Sequence, residues 1–407
     1  MGRTTFTVTA LNTLFAPAVI GRRGRVDSSI DKIVASAERA TGGSADDHRD
    51  LIEGYRILLG SYANGRYVSF VGWSAILMDI ERRITNRMRV ARTIAERPEI
   101  EREVIREPIV VTGLPRTATT LAHNLLAGPA ANRAPLLWEL LTTLPGDADE
   151  AAKEAGIADA KKFTDGLEQA VPTFPDIHKM APELPEECIF LMPFHSLLWN
   201  LCGPLHEFRE WCEGRDYSDD YRYLKQTLQI LQHKSESRRW VLKSPGHLWS
   251  LRALIDAFPD ARVVWTHRDP VTVMGSFCSL MEASWSVYQR RYDPAQIGAL
   301  SLAMLTESIA DAREIRLTLR QENLIDVGYP HLAGDPAMQV PRLFDRLGLP
   351  WGQAEADNLQ YLIDLPTKRR KHEYTLSRYG LSQAEVEEAF GDYPSLVNNL
   401  PALAKRH

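Results

Sequence analysis

Gly113-Leu114-Pro115-Arg116-Thr117-Ala118-Thr119-Thr120 follows directly on Ile109-Val110-Val111-Thr112. The β-branched run has the length and apolarity of a strand buried on both faces. Beyond the turn, Leu121, Leu125 and Leu126 share one face of a helix. Strand, tight turn and helix start is the arrangement in which backbone N–H groups and the positive helix end receive an anion. A nucleoside-triphosphate loop of this kind reads G-x-x-x-x-G-K-[ST], with its Lys on the β- and γ-phosphates and its hydroxyl on Mg²⁺. Here Ala118-Thr119 stands where that Gly-Lys pair belongs, and the cation has moved to Arg116 in the turn itself. Such a loop suits a shorter 5′-anion held by amides, by the hydroxyls of Thr117, Thr119 and Thr120, and by one guanidinium. A structural turn capped by Thr117 is the plainer alternative.

The pattern of the first strand recurs outward from this turn. Trp240-Val241-Leu242, Arg262-Val263-Val264-Trp265-Thr266 and Leu324-Ile325-Asp326-Val327 are short apolar runs, and a long helix is predicted over 294–320. Strands alternating with helices predict an α/β fold, a P-loop-like parallel sheet flanked by helices over 108–407. Residues 1–107 read as a helical N-terminal region packing on that core, with helices predicted over 30–41, 46–60 and 75–96. The first is bracketed by Asp27-Ser28-Ser29 and Gly42-Gly43. The insertion 146–235 is mixed, with Pro-rich loops and one helix over 221–234. It is placed on the acceptor side, because ligands of such sheets sit beyond the strand C-termini. Residues 341–407 form a C-terminal helical cap.

Composition excludes several classes. The 407 residues are 44% hydrophobic and 25% charged, with a net charge of −5. That is ordinary globular chemistry, without the basic field of a nucleic-acid binder. The four cysteines (Cys188, Cys202, Cys212, Cys278) form no C-x-x-C pair and read as buried residues in a reducing compartment. No pairing of them with His195 or His206 has metal-ligand spacing, so no metal is expected. The apolar stretch from Ala10 to Ile20 is too short to span a bilayer and has the wrong flanks for a signal peptide. A soluble cytoplasmic protein is expected, and the oligomeric state stays open, a homodimer included.

A second anion motif is His267-Arg268-Asp269-Pro270. Asp269 and Pro270 suit the N-cap and first position of a helix, which puts Arg268 at a strand C-terminus. Ser276 lies two turns along that helix, and an Arg with a hydroxyl makes a phosphate clamp. Two anion sites at neighbouring strand ends suggest one nucleotide with phosphates at two positions. Here the sequence resembles the sulfotransferase superfamily, in its broad branch that includes the tyrosylprotein-type enzymes. Pro115 to Thr120 is similar to that family's P-[KR]-S-G-T-T loop, and the Arg268–Ser276 spacing to its 3′-phosphate motif. Ala118 departs from the family's Gly. The resemblance implies the sulfotransferase fold and 3′-phosphoadenosine 5′-phosphosulfate as donor, with 3′-phosphoadenosine 5′-phosphate as product.

The resemblance also implies roles. Arg116 and Lys243, which follows the strand at 239–242, would meet the donor's bridging oxygen. A cation aimed there stabilises the charge that develops on the departing phosphate. Glu139, in Trp138-Glu139-Leu140, or His247, in Lys243-Ser244-Pro245-Gly246-His247, would take the acceptor's proton. Arg370 or Lys371, in Lys368-Arg369-Arg370-Lys371-His372, would close over the 3′-phosphate. Glu183-Leu184-Pro185-Glu186-Glu187 reads as a helix start or as a lining of the acceptor pocket. The acceptor is a hydroxyl of a small organic molecule, lipid or glycolipid. A small-molecule kinase and a non-catalytic nucleotide-binding protein of the same fold are the alternatives.

Overall fold

A computed structural model describes residues 4–172, 174–194, 196–364 and 375–404. Five helices come first: α1 (Phe6–Leu14), α2 (Ala16–Arg23), α3 (Val26–Thr41), α4 (Arg49–Asn64) and α5 (Phe70–Glu96). Then come β1 (Ile109–Gly113), α6 (Thr119–Ala127), β2 (Asn132–Arg133), α7 (Leu137–Leu141) and α8 (Glu150–Ala170). The remaining strands are β3 (Arg239–Lys243), β4 (Arg262–His267) and β5 (Leu324–Gly328).

The chain divides into two compact units. One comprises 105–135, 237–279 and 294–407, and it holds the whole sheet. The strand order is β2-β3-β1-β4-β5, all parallel. β1 is buried along its entire length, as its β-branched sequence requires. Ile109, Val111, Val241, Val264 and Ile325 share a core with Ala122, Leu125 and Leu126 of α6. From β1 the chain builds β2 and β3 to one side and β4 and β5 to the other. That reversal opens a ligand crevice at the C-terminal ends of the strands flanking β1.

The other unit comprises 1–104, 136–236 and 280–293, so the insertion shares a body with the N-terminal helices. α3, α4 and α5 bury Ile30, Leu58, Tyr62, Trp73 and Ile80. Ser69 caps α5 through a bond from Gly72 N to its Oγ. α7 and α8 pack Leu137, Trp138 and Leu141 against Ala160.

Several elements depart from the expected bounds. α3 begins at Val26, because Ser29 Oγ turns back onto Arg25 O, 2.9 Å away, rather than capping from outside. α5 begins at Phe70. α8 lies in the stretch read as mixed. Asp149 caps it by accepting from Ala152 N at 2.7 Å, and its Ala/Lys/Glu-rich sequence is strongly helix-forming with few large apolar residues to mark a face. The two residues of β2 are too few for any periodicity to reveal.

Candidate active site

The turn after β1 is built by close packing against β4. Gly113 pairs with Thr266 and has φ +146. A Cβ there would lie 2.3 Å from Thr266 O, so only glycine fits. Thr117 Oγ1 donates to Leu114 O at 2.7 Å and lies 2.6 Å from Thr266 Oγ1. Its side chain is fully buried and braces the turn. The backbone N–H is the part of Thr117 left for an anion. Arg116 and Ala118 both occupy the left-handed region, at φ +72 and +71. Each costs about 1–2 kcal/mol relative to an ordinary conformation, and turns of this shape form concave anion sites. Ala118 is therefore the N-cap of α6 in a conformation that glycine adopts without strain.

The second motif folds onto the first. Asp269 Oδ2 accepts from Thr272 N at 2.8 Å and caps the helix that opens at Pro270. Arg268 Nη1 donates to Arg116 O at 2.9 Å, and its guanidinium lies 3.9 Å from the Tyr329 ring centroid. Arg116 Nε donates in turn to Ser276 Oγ at 3.0 Å. Arg268, Arg116 and Ser276 thus form one chain of contacts joining the ends of β1 and β4. Two guanidiniums and a hydroxyl converge on one corner of the sheet, a donor set suited to phosphate or sulfate oxygens.

At β1's other side, Lys243 ends β3 in register with Val111. Ser244 N donates to Val111 O at 3.3 Å, and Thr112 Oγ1 donates to Ser244 O at 3.0 Å. These bonds fix the Lys243 backbone two residues below the Gly113 turn. Lys243 is 1% exposed, its side chain held inside the fold. Ser244 Oγ then caps a 3₁₀ turn, Pro245–Ser250, which encloses His247.

Glu139 belongs to the other unit. It is buried rather than solvated, and one carboxylate oxygen accepts from Leu136 N at 2.9 Å. Its helix is held at both ends. Leu137 N and Trp138 N donate to Leu184 O and Pro182 O, and Thr143 N donates to Asn86 Oδ1 at 2.8 Å. Asn86 Nδ2 also donates to Thr143 Oγ1 and to Tyr223 Oη, so α5 fixes the segment through a buried amide. Glu186 is buried too, within 3.0 Å of His178 Nε2, and a 3₁₀ turn follows it where an α-helix start was one reading. His178, Glu186 and Glu187 bring ligand-type atoms within 4.8 Å of one another, a grouping their spacing did not reveal. Within it, His178 Nε2 and the Glu186 carboxylate are hydrogen-bonded to each other.

A profile of the sulfotransferase family matches residues 108–353. The chain belongs to the sulfotransferase family. The match spans every strand and both anion motifs. The omega-hydroxy-beta-dihydromenaquinone-9 sulfotransferase Stf3 of Mycobacterium bovis is 25% identical over 316 residues, 75% of this sulfotransferase and 76% of that protein. The crystal structure of sulfotransferase STF9 from Mycobacterium avium matches with a TM-score of 0.81 and 25% identity. It covers 92% of this chain and 98% of the other. Sulfotransferase STF1 from Mycobacterium tuberculosis gives 0.76 and 27%, over 88% and 97%.

Sequence reasoning missed the supports around this sulfotransferase's Arg268. His267, one residue before Arg268, places Nε2 2.9 Å from Asp326 Oδ1 and Nδ1 3.0 Å from Tyr393 Oη. Arg316 donates to both Asp326 oxygens, at 3.1 and 2.7 Å. Burial pushes the Asp326 carboxyl up, but the bonds from His267 and Arg316 outweigh it and hold its pKa below the usual range. Burial lowers the His267 pKa despite that carboxylate. Tyr329 was equally unmarked, although an aromatic directly after a strand beside an anion motif is a usable signal. Arg370, Lys371 and His195 lie outside the described residues. Among the described residues, no helix is long and apolar enough to cross a membrane.

Proposed function

We propose that this sulfotransferase takes its sulfuryl group from 3′-phosphoadenosine 5′-phosphosulfate and passes it to the hydroxyl of a small organic or lipid acceptor. The observation that carries the reading is the Arg268–Arg116–Ser276 chain, which links two anion-binding strand ends of one sheet. In this reading the 113–120 turn holds the 5′ end of the donor, with Thr119 and Thr120 at the helix start. Arg268 and Ser276 hold the 3′-phosphate, and Arg370 or Lys371, outside the described residues, is assigned to the same phosphate. Arg116 and Lys243 offset the charge that gathers on the 5′-phosphate as the bond from its oxygen to sulfur breaks. The acceptor oxygen bonds to sulfur, and its proton passes to the Glu139 carboxylate. Stf3 is named for an omega-hydroxylated dihydromenaquinone, which supports a lipid hydroxyl as acceptor here. The four cysteines are buried and form no disulfide, as a reducing cytoplasm permits.

A second reading puts the base at His247, favoured because it lies in the same unit as both anion motifs. Release of the bisphosphate from the donor, with an omega-hydroxylated quinol or a phenol as acceptor, separates the two. Glu139→Gln is expected to lower kcat by about 10²–10⁴-fold and leave bisphosphate affinity unchanged. The same loss in His247→Gln, with Glu139→Gln keeping the wild-type kcat, transfers the role to His247. Wild-type protein that binds no bisphosphate contradicts the donor assignment itself.

A further inference from the structure

We infer that α1 and α2 form a membrane-interface surface, on which the protein rests against an anionic bilayer. This goes beyond sulfuryl transfer, and vesicle binding is measured without donor or acceptor.

The first observation is an apolar patch. Phe6 is 87% exposed, Leu14 71% and Ile20 67%, and Leu11 and Phe15 are exposed beside them. One exposed apolar side chain is ordinary, but five within fifteen residues on two consecutive helices form a patch. Nor can the patch simply roll inward. Val8, Asn12 and Val19 already hold the inner face, with Asn12 Oδ1 accepting from Val71 N at 2.9 Å. Phe15 stacks on Phe70 at 4.8 Å, and Arg23 Nε donates to Ala63 O. Both helices are thereby fastened to α4 and α5, with Phe6, Leu14 and Ile20 facing out.

The second observation is charge. Acids make up 53 of the 407 residues, yet the first 26 contain none. α1 carries no charge at all, and Arg22 and Arg23 fill the last turn of α2, with Arg25 just beyond. An apolar surface edged by arginines and free of carboxylates complements the headgroup layer of an anionic membrane. A second copy docking patch to patch would bring the same arginines face to face. Neither helix has the length to span, so the surface lies on the bilayer. A protein that modifies a membrane-held hydroxyl gains from resting there.

The test is co-sedimentation with sucrose-loaded vesicles, either pure phosphatidylcholine or a 3:1 mixture with phosphatidylglycerol. Binding is expected on the anionic vesicles, roughly 25-fold weaker on neutral ones, and reduced in 0.5 M salt. Arg22→Gln with Arg25→Gln should lose a similar factor on the anionic vesicles. Phe6→Ser, Leu14→Ser and Ile20→Ser together should lose on the order of 100-fold. The triple variant's thermal unfolding and bisphosphate affinity should match wild type, because all three side chains face solvent. Wild type that stays in the supernatant with anionic vesicles overturns the inference, as does a triple variant that pellets like wild type. So does a wild-type dimer in sedimentation velocity that the triple variant abolishes, since the patch would then be covered by a second copy.

Discussion

Replacing Arg268 by alanine separates the two halves of the proposed anion site. The guanidinium donates to Arg116 O at 2.9 Å and lies 3.9 Å from the Tyr329 ring centroid, so it is held in place before any ligand arrives. A hydrogen-bonded contact to a charged group is worth about 1.5–3 kcal/mol. At 1.4 kcal/mol per tenfold, Arg268→Ala should weaken 3′-phosphoadenosine 5′-phosphate by roughly 10–150-fold. The turn proposed to receive the 5′ end keeps its own supports, Gly113 against Thr266 and Thr117 against Leu114. Affinity for adenosine 5′-phosphate should therefore change by no more than about threefold, the scale of one lost neutral contact. Isothermal titration calorimetry with both nucleotides, on wild type and variant, reads the difference directly. Arg268→Lys keeps the charge without the planar fork and should recover only part of the loss. Equal losses for the two nucleotides would refute a 3′-specific role, and no loss for either would remove Arg268 from the site.

Two further outcomes test the scaffold. Ala118→Gly relieves a left-handed alanine at a cost in chain entropy, and should raise stability by about 0.5–1 kcal/mol in urea unfolding, with bisphosphate affinity retained. A destabilised glycine variant would show that the strain assigned to this position is absent. His267 is buried with a lowered pKa, so the unfolded chain takes up its proton first as pH falls. Its contribution is complete above the ordinary histidine pKa of about 6.5 and diminishes below it until the folded group also protonates. The urea midpoint should fall between pH 7 and 5 in wild type and fall less in His267→Gln. Parallel pH profiles would contradict that assignment.

Four of the five strands were legible because each is a short apolar run closed by a glycine, a lysine or a polar turn, and because helices separate them. Both anion motifs were legible for the same reason: strand end, turn and helix start are local in sequence. Their union was not. Arg116 meets Ser276 across 160 residues, and only the parallel order that sets β4 beside β1 brings them together. The burial of Glu139 was hidden likewise, since it depends on Asn86, Pro182 and Leu184, none of them near it in the chain. α8 escaped because a helix with a sparse apolar face carries little periodicity, even with Asp149 marking its start.

The decisive measurement is a crystal structure of the protein with bound 3′-phosphoadenosine 5′-phosphate. The 5′-phosphate should lie on the backbone amides of residues 113–120 beside Arg116 and Lys243, with the 3′-phosphate between Arg268 and Ser276. A nucleotide seated elsewhere, or one whose 3′-phosphate points into solvent with Arg268 still on Arg116 O and Tyr329, would contradict a doubly anchored donor.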